Sequence, residues 1–533
     1  MTQPWNLGRY LAFHGLLWLC LAGSASATSV TGQVYLDQNQ NGVRDSAEHG
    51  LAGVAISNGR DVVRSDTQGR YQIELRDGDT LFVIKPANYQ FHRGADGSLR
   101  YWQHRAPDGV GQELRYGGIG PSQADGQFGL IAEADDSAES PLEVLVLADP
   151  QPKTQRDVEY FRRDIVQPII GKHGAALGVV LGDVVNDDLI LFDGIAEALG
   201  QLSVPWLVVS GNHDIDFDAA DDAQSLLSFR QRFGPDTFAW ETPQAVFIAL
   251  DDVIYHGSQT RRYVGGLRDD QFEFLHNYLK DMDEQRLLVL MLHIPLFNTY
   301  RDDDSFRPAD RQRLFDLLSR FPRRLILSGH THAQRHHFHD QQSGWKGATP
   351  LHEYNVGTAC GGYWSGPFDA AGIPDARMAD GTPNGFATLR IDGSGDYQLR
   401  YQAARQSDHP GIELSGPAVL RKGSWPGVGL YANVLMGWAD TRVEIRIDQG
   451  EWRPMRYSPG FDRQVLLENL LDDQAAALRG YDRLPEAEVS QHRWRSALPT
   501  DLALGTHEVE VRAFDPWVGE LRARTEYRLV ESP

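Results

Sequence analysis

The sequence reads as an α/β protein with a β module on each side of a central sheet domain, and three observations carry that reading. Five apolar runs, LEVLVLA, LGVVL, PWLVVS, LLVLML and RLILS, fit strands buried on both faces. Helical patterns fall between them, at 158–170, 223–233, 269–282 and 308–321. Strand-and-turn alternation, without helical spacing, precedes and follows that region. A length of 533 residues suits about three domains at roughly 150 residues each. An apolar fraction of 41% with 12 Trp describes folded cores rather than a disordered chain.

Residues 1–27 form the first element. Arg9 is followed by an apolar stretch over 11–22 and by Ser24-Ala25-Ser26-Ala27, the small-x-small pattern of a signal peptidase site. The stretch is short for a membrane span. It predicts a signal peptide, a mature chain from about Thr28, a periplasmic or secreted location, and no membrane span after processing. Cys20 follows Trp18-Leu19, not the small residues of a lipidation site. Processing leaves Cys360 as the single cysteine, so no intrachain disulfide is expected.

The second element, 28–140, opens with VTGQVYLD, GVAISNG and RSDTQGRYQIEL, a small β-sandwich pattern. Inside it Asp37, Asn39, Asn41, Asp45 and Glu48 fall at positions 1, 3, 5, 9 and 12 of a twelve-residue loop. Gly42 stands at position 6, and Val43 at position 7 supplies a backbone carbonyl, which is calcium-loop spacing. No helices flank it. The segment GQVYLDQNQNGVRDSAEHGLAGVAIS resembles the calcium-binding, transthyretin-like B repeats of bacterial surface adhesins. The alternative is an Asx-rich hairpin turn held by its own hydrogen bonds. Residues 89–140 read as the rest of the module and a linker, with 133–140 as a solvated hinge.

In the central domain, 141–403, each run ends in a polar motif. These are Asp149-Pro150-Gln151, Gly182-Asp183 with Asn186-Asp187-Asp188 trailing, Gly211-Asn212-His213-Asp214, His293-Ile294-Pro295, and Gly329-His330-Thr331-His332. Open α/β sheets place their sites at the carboxyl ends of strands. Taken singly, His213 or His293 fits an ordinary core or surface histidine, and Asp183 a helix cap. Five strand-end motifs in this order argue for a site. Asp149, Gln151, Asp183, Asn212, His293, His330 and His332 supply the carboxylate, amide and imidazole donors that suit two divalent ions such as Mn, Fe or Zn. Asp183 is the natural bridge between them. His330 and His332, two apart, need irregular backbone to serve different ions, and Gly329 permits it.

GDVVND, GNHD, HIP and GHTH, spread over about half the chain, resemble the calcineurin-like metallophosphoesterase superfamily. The resemblance implies a metallophosphoesterase β-sandwich flanked by helices, in αββα layers. It implies Asp149, Gln151, Asp183 and His332 on one metal, and Asp183, Asn212, His293 and His330 on the other. A hydroxide bridging the ions would attack phosphorus in line. His213 would protonate the leaving oxygen, with Asp214 orienting its imidazole. The superfamily's first motif is usually Asp-x-His, and Gln151 departs from it. A neutral amide oxygen favours Mn, with Mg also open. The same Asp-x-Gln variant appears in manganese-dependent ADP-ribose/CDP-alcohol diphosphatases, a lean toward diphosphate or phosphodiester substrates. Around the ligands, Tyr300, Arg301, Tyr363 and Trp364 are candidate substrate contacts. His336, His337 and His339 read as surface residues, and Cys360 as a small buried filler.

The last element, 408–533, alternates again in VGLYANVL, TRVEIRID, HEVEVRAFD and ARTEYRLV, an antiparallel β-sandwich without metal donors in pattern. Trp425, Trp438, Trp452, Trp494 and Trp517 read as core and inter-domain packing. A formal charge of −22 argues against nucleic acid or an anionic membrane as partner. A small phosphorylated substrate is expected instead, drawn by the ions. The rival reading is a calcium-stabilised surface or binding protein whose phosphoesterase domain is degenerate and inactive, and Gln151 alone supports it.

Overall fold

The computed structural model describes residues 27–93, 99–133, 140–298, 305–405, 411–425 and 429–531. The signal peptide lies outside these residues apart from Ala27, as do Tyr300, Arg301 and most of the 133–140 hinge. Among the described residues no helix is long and apolar enough to cross a membrane.

Two sheets face each other at the centre. One orders its strands Trp206–Val209, Leu177–Leu181, Leu142–Leu147, Gly385–Ile391 and Tyr397–Ala403. The other runs Phe238–Glu241, Ala245–Ala249, Leu287–Met291, Arg324–Ser328, Leu351–Asn355 and Arg335–His339. The strand period of two is visible in the first strand of the domain. Val144 and Val146 join the core between the sheets, while Leu145 and Leu147 join the cluster under the helices Gln155–Phe161 and Phe192–Gly200. Helices Asp269–Leu279 and Pro308–Leu318 cover the second sheet with Phe272, Phe274, Leu275, Leu314 and Phe315. The layers are therefore helix, sheet, sheet, helix. The first helical segment, expected over 158–170, runs from Gln155 as an α-helix, widens into a π-turn over Arg162–Val166 and closes with a 3-10 turn at Gln167–Ile169, where Pro168 lacks the N–H to continue an α-ladder.

Residues 28–132 build two four-stranded sheets. Thr28–Leu36 pairs antiparallel with Arg70–Leu75 and parallel with Gln127–Ala132. This module is packed on the centre, with Phe82 against Phe274 at 6.4 Å between centroids and Phe91 against Trp240 at 5.6 Å.

The C-terminal residues form two larger sheets around Val434, Ile445, Trp494, Val511 and Tyr527, and a two-stranded one, Gly460–Phe461 with Val489–Ser490. One pairing there is parallel, Val419–Arg421 with Gly519–Val530, where the pattern suggested an antiparallel arrangement throughout. A helix, Arg463–Asp473, was not legible in the strand alternation. Asp462 caps it, accepting from the backbone N–H groups of Gln464 and Val465. The tryptophans divide. Trp494 is core, Trp438 and Trp517 pack against His336 of the central domain, and Trp452 lies among Arg446, Arg512 and Arg522. Trp425 departs from the packing expectation, being 92% exposed.

Two of the three histidines expected at the surface depart from expectation, and the third, His337, is half-buried. His336 and His339 are buried rather than at the surface, because their strand pairs with Leu351–Asn355 and is covered on one face by Trp438 and Trp517, over His336, and on the other by Phe315, against His339. His339 donates to the fully buried Glu353 at 2.7 Å, and His337 packs on Phe297.

Candidate active site

Six strand-end loops meet at one edge of the paired sheets. Their backbone is unusual at the residues that matter. Asp149, Gln151, Asp183, His330, His332, Tyr363 and Trp364 all have φ between 42° and 74°, a region that costs a non-glycine residue of order 1 kcal/mol or more. Gly182 turns the chain at φ 79°, and a Cβ there would lie 2.4 Å from His293 Nδ1. Gly329 serves differently from expectation: its φ is ordinary, and His330 and His332 carry the strain themselves. Its role is space, since a Cβ would stand 2.6 Å from Asp149 Oδ2.

The seven proposed donors are brought together. His293 Nε2 lies 3.0 Å from Asn212 Oδ1, 3.3 Å from Asp183 Oδ1 and 3.2 Å from His330 Nδ1. Donor atoms of Asp183, His293 and His330 lie within 4.8 Å of one another. On the other side of Asp183, its Oδ2 accepts from the Gln151 amide at 3.2 Å, and His332 Nε2 lies 3.6 Å from Asp149 Oδ1. The two oxygens of Asp183 thus face two separate donor groups. Second bonds aim the rings: His293 Nδ1 donates to Leu181 O at 2.9 Å and His332 Nδ1 to Gly361 O at 2.6 Å. Cys360 is the buried filler its position suggested, with Sγ 3.6 Å from Gln151 Oε1.

His213 lines the cavity and its backbone N–H donates to Asp183 Oδ1 at 2.9 Å. Its partner corrects the assignment of Asp214. The His213 Nδ1 meets Asp187 Oδ1 at 2.5 Å, not Asp214. Asp214 is buried beneath the loops, accepting from the N–H groups of Gly211, Val184 and Val185 at 2.8, 3.1 and 3.1 Å. Trp364 is also corrected. It is 4% exposed, donates from its indole to Pro150 O at 2.8 Å, and packs on Tyr160 away from the cavity. Tyr363 does reach the cavity, stacked on His332 at 4.1 Å.

Three sequence-matched regions decide the family. The descriptions "N terminal of Calcineurin-like phosphoesterase", "Calcineurin-like phosphoesterase" and "C terminal of Calcineurin-like phosphoesterase" match residues 38–116, 142–334 and 353–520. The chain belongs to the calcineurin-like metallophosphoesterase superfamily. Among curated relatives, the glycerophosphodiester phosphodiesterase GpdQ of Enterobacter lignolyticus is 29% identical over 184 residues, covering 33% of this chain and 63% of that protein. Purple acid phosphatase 22 of Arabidopsis thaliana is 26% identical over 133 residues, 24% of this chain and 30% of that protein. The match therefore spans less than two thirds of either relative. A dimetal phosphatase from Danio rerio aligns with a TM-score of 0.35 at 16% identity, over 49% of this chain and 96% of that one.

The electrostatics of this metallophosphoesterase site fit divalent cations. Burial lowers His330 to about 3 and His332 to about 4, so both present neutral, ligand-ready nitrogens. Burial and the neighbouring Asp183 charge push Asp149 upward, a cost that a cation between them removes. Burial opposes ionisation of Asp183 too, but the imidazoles of His293 and His213 outweigh it and hold the carboxyl low. His213 loses solvation, yet the charge of Asp183 and the bond to Asp187 raise it to about 9.

Several contributors escaped the sequence reading. Asp252, itself just past the strand Ala245–Ala249, accepts from the N–H groups of His293 at 3.1 Å and Ile294 at 3.0 Å. Asn355 accepts from Thr331 and donates to Gly329 O, pinning the last motif. Tyr263, Phe297 and Arg335 line the cavity, together with Pro485, Glu488, Val489 and Gln491 of the C-terminal region. Tyr116 of the N-terminal region donates to Asp187 O at 3.1 Å. Asp252 shares the strand-end signal; the others come from segments with no motif.

Proposed function

We propose that this protein is an exported phosphoesterase that hydrolyses a phosphodiester or diphosphate with two divalent ions, Mn being favoured. The convergence of Asp149, Gln151, Asp183, Asn212, His293, His330 and His332 around the two faces of Asp183 carries the reading. Bound ions would supply charge neutralisation at the phosphoryl oxygens and activation of water. Asp149, Gln151, Asp183 and His332 would hold one ion, and Asp183, Asn212, His293 and His330 the other. The chain's own contribution to the reaction is His213. Its Nδ1 is held by Asp187, which leaves Nε2 to carry a proton to the leaving oxygen. Asp214 and Asp252 act beneath, fixing the loops that present Asp183, Asn212 and His293. Export rests on the apolar stretch over 11–22 and the Ala-x-Ala site before Thr28.

We also propose a calcium site at 37–48, on the twelve-residue spacing of Asp37, Asn39, Asn41, Asp45 and Glu48. Asp37 and Glu48 are buried, with Asp37 accepting from Asn41 and Gly42 N–H and Glu48 from Gln38 and Asp45 N–H. Asn39 and Asn41 amides both donate to Asp45 Oδ2 at 2.6 and 3.0 Å, bonds that the Asx-rich turn makes as well, so the spacing carries this proposal.

The test is turnover of bis(4-nitrophenyl) phosphate by purified protein reconstituted with Mn, alongside metal analysis. Two ions per chain in the central domain and saturable hydrolysis are expected. Two bound ions without hydrolysis of any phosphodiester, diphosphate or monoester would favour the binding-protein reading instead.

A further inference from the structure

The cavity above the site encloses about 620 Å³, in the range that holds a drug-sized ligand rather than a lone phosphate. Arg335 is the one Lys or Arg among its described lining residues. The strand Arg335–His339 begins there, three residues after His332. Its guanidinium lies over the Phe297 ring at 4.5 Å and donates from Nη2 to His337 Nδ1 at 3.3 Å. Burial keeps His337 neutral, at about 3, so that nitrogen accepts without adding a charge.

The nearby acids are occupied elsewhere. Glu353 takes bonds from Leu296 N–H at 3.0 Å, Ser328 Oγ at 2.9 Å and His339 at 2.7 Å. Asp380 takes Gln334 N–H at 2.8 Å, Thr382 N–H at 2.8 Å and His492 at 3.0 Å. Among the described residues Arg335 forms no ion pair with any carboxylate, Glu488 included. The charge that acts on Arg335 is Glu353, which spends its oxygens on other donors, so a partly desolvated guanidinium, braced on an aromatic face and lining the cavity, is suited to receive an anion.

We infer that Arg335 forms a second anion subsite, which receives a negative group on the substrate other than the phosphoryl group held at the metal donors. The substrate class is then an ester carrying a further phosphoryl or carboxylate group, with a diphosphate diester as the leading case. This rests on the phosphoesterase reading and narrows it.

Calorimetry on the Mn-loaded full chain tests it without turnover, comparing ADP, as its non-hydrolysable α,β-methylene analogue, with AMP in wild type, Arg335→Met and Arg335→Lys. Charge-assisted hydrogen bonds of the usual strength predict that ADP binds ~10- to 100-fold tighter than AMP in wild type. That ratio falls toward one in Arg335→Met and is partly kept in Arg335→Lys, which retains charge but not the fork. In parallel, the ratio of kcat/KM for a dinucleoside diphosphate over bis(4-nitrophenyl) phosphate drops by a similar factor in Arg335→Met. Glycerophosphoserine against glycerophosphoethanolamine reports whether a carboxylate substitutes for the second phosphoryl group. An ADP/AMP ratio and a glycerophosphoserine preference that are both unchanged in Arg335→Met would overturn the subsite. Loss of ADP selectivity in a protein that turns over none of these esters would keep the subsite and reject the hydrolase.

Discussion

Asp187 bonds the His213 ring and Asp214 the backbone of the same motif, and exchanging each for Asn separates the proposed chemistry from its framework. Asp214 receives three backbone N–H groups from two loops, at 2.8–3.1 Å, and is fully buried. In Asp214→Asn one oxygen becomes an NH2 that faces donors. At least one hydrogen bond is lost and a buried N–H is left unpaired, a cost of about 3 kcal/mol. At roughly 2–4 °C per kcal/mol for a domain of this size, melting should fall by ~6–12 °C. Asp187 is different. Its side chain is 54% exposed, so its bond to His213 is screened and adds little to stability. Asp187→Asn should leave melting nearly unchanged but lower kcat by roughly 5- to 30-fold, the equivalent of ~1–2 kcal/mol of lost imidazolium stabilisation. Melting curves and turnover of bis(4-nitrophenyl) phosphate on both variants make the comparison. A normal melting temperature with collapsed kcat in Asp214→Asn, beside unimpaired Asp187→Asn, would refute the assignment of partners.

Further outcomes follow from the same geometry. His213→Ala should keep both metals while kcat falls on the order of 10²–10⁴, the size of a general-acid contribution; metal analysis with single-turnover rates checks it. Chelation at neutral pH should lower the melting temperature of the N-terminal module and calcium should restore it, as mass action requires of a ligand held by Asp37, Asp45 and Glu48. His104 is lowered from 6.5 to about 4, by burial first and by the Arg230 charge second, and is bonded to Thr80 Oγ1 and Arg230 O. The folded imidazole stays neutral while the unfolded one takes up a proton, so stability present at pH 7 is lost as pH falls from 6.5 toward 4. About 2 kcal/mol of the fall between pH 7 and pH 5 belongs to this group, and denaturant melts of His104→Gln should be shallower in pH by that amount.

The part of this molecule that periodicity governs was readable in advance. Runs such as LGVVL and LLVLML have no polar face, which leaves only a doubly buried strand, and the residue after such a strand must sit at the sheet edge. That logic locates Asp149, Asp183 and His293 without coordinates. It fails where contact and sequence adjacency part. Asp214 follows His213 directly, yet a turn sends the two side chains to opposite sides, and Asp187 from another loop takes the place. Arg335, Tyr263 and Glu488 converge on the cavity from segments with no motif to mark them. The helix Arg463–Asp473 was hidden for a different reason: Leu466, Leu467, Leu470 and Leu471 all stand exposed on it, so it has no simple buried stripe to read.

The central claim is that Asp183 joins two metal sites, and anomalous diffraction from crystals of the Mn-loaded protein tests it directly. Two peaks are predicted, one against each oxygen of Asp183: the first shared with Asp149, Gln151 and His332, the second with Asn212, His293 and His330. A single peak, or two peaks with Gln151 or Asp183 outside ligand distance, would contradict the account.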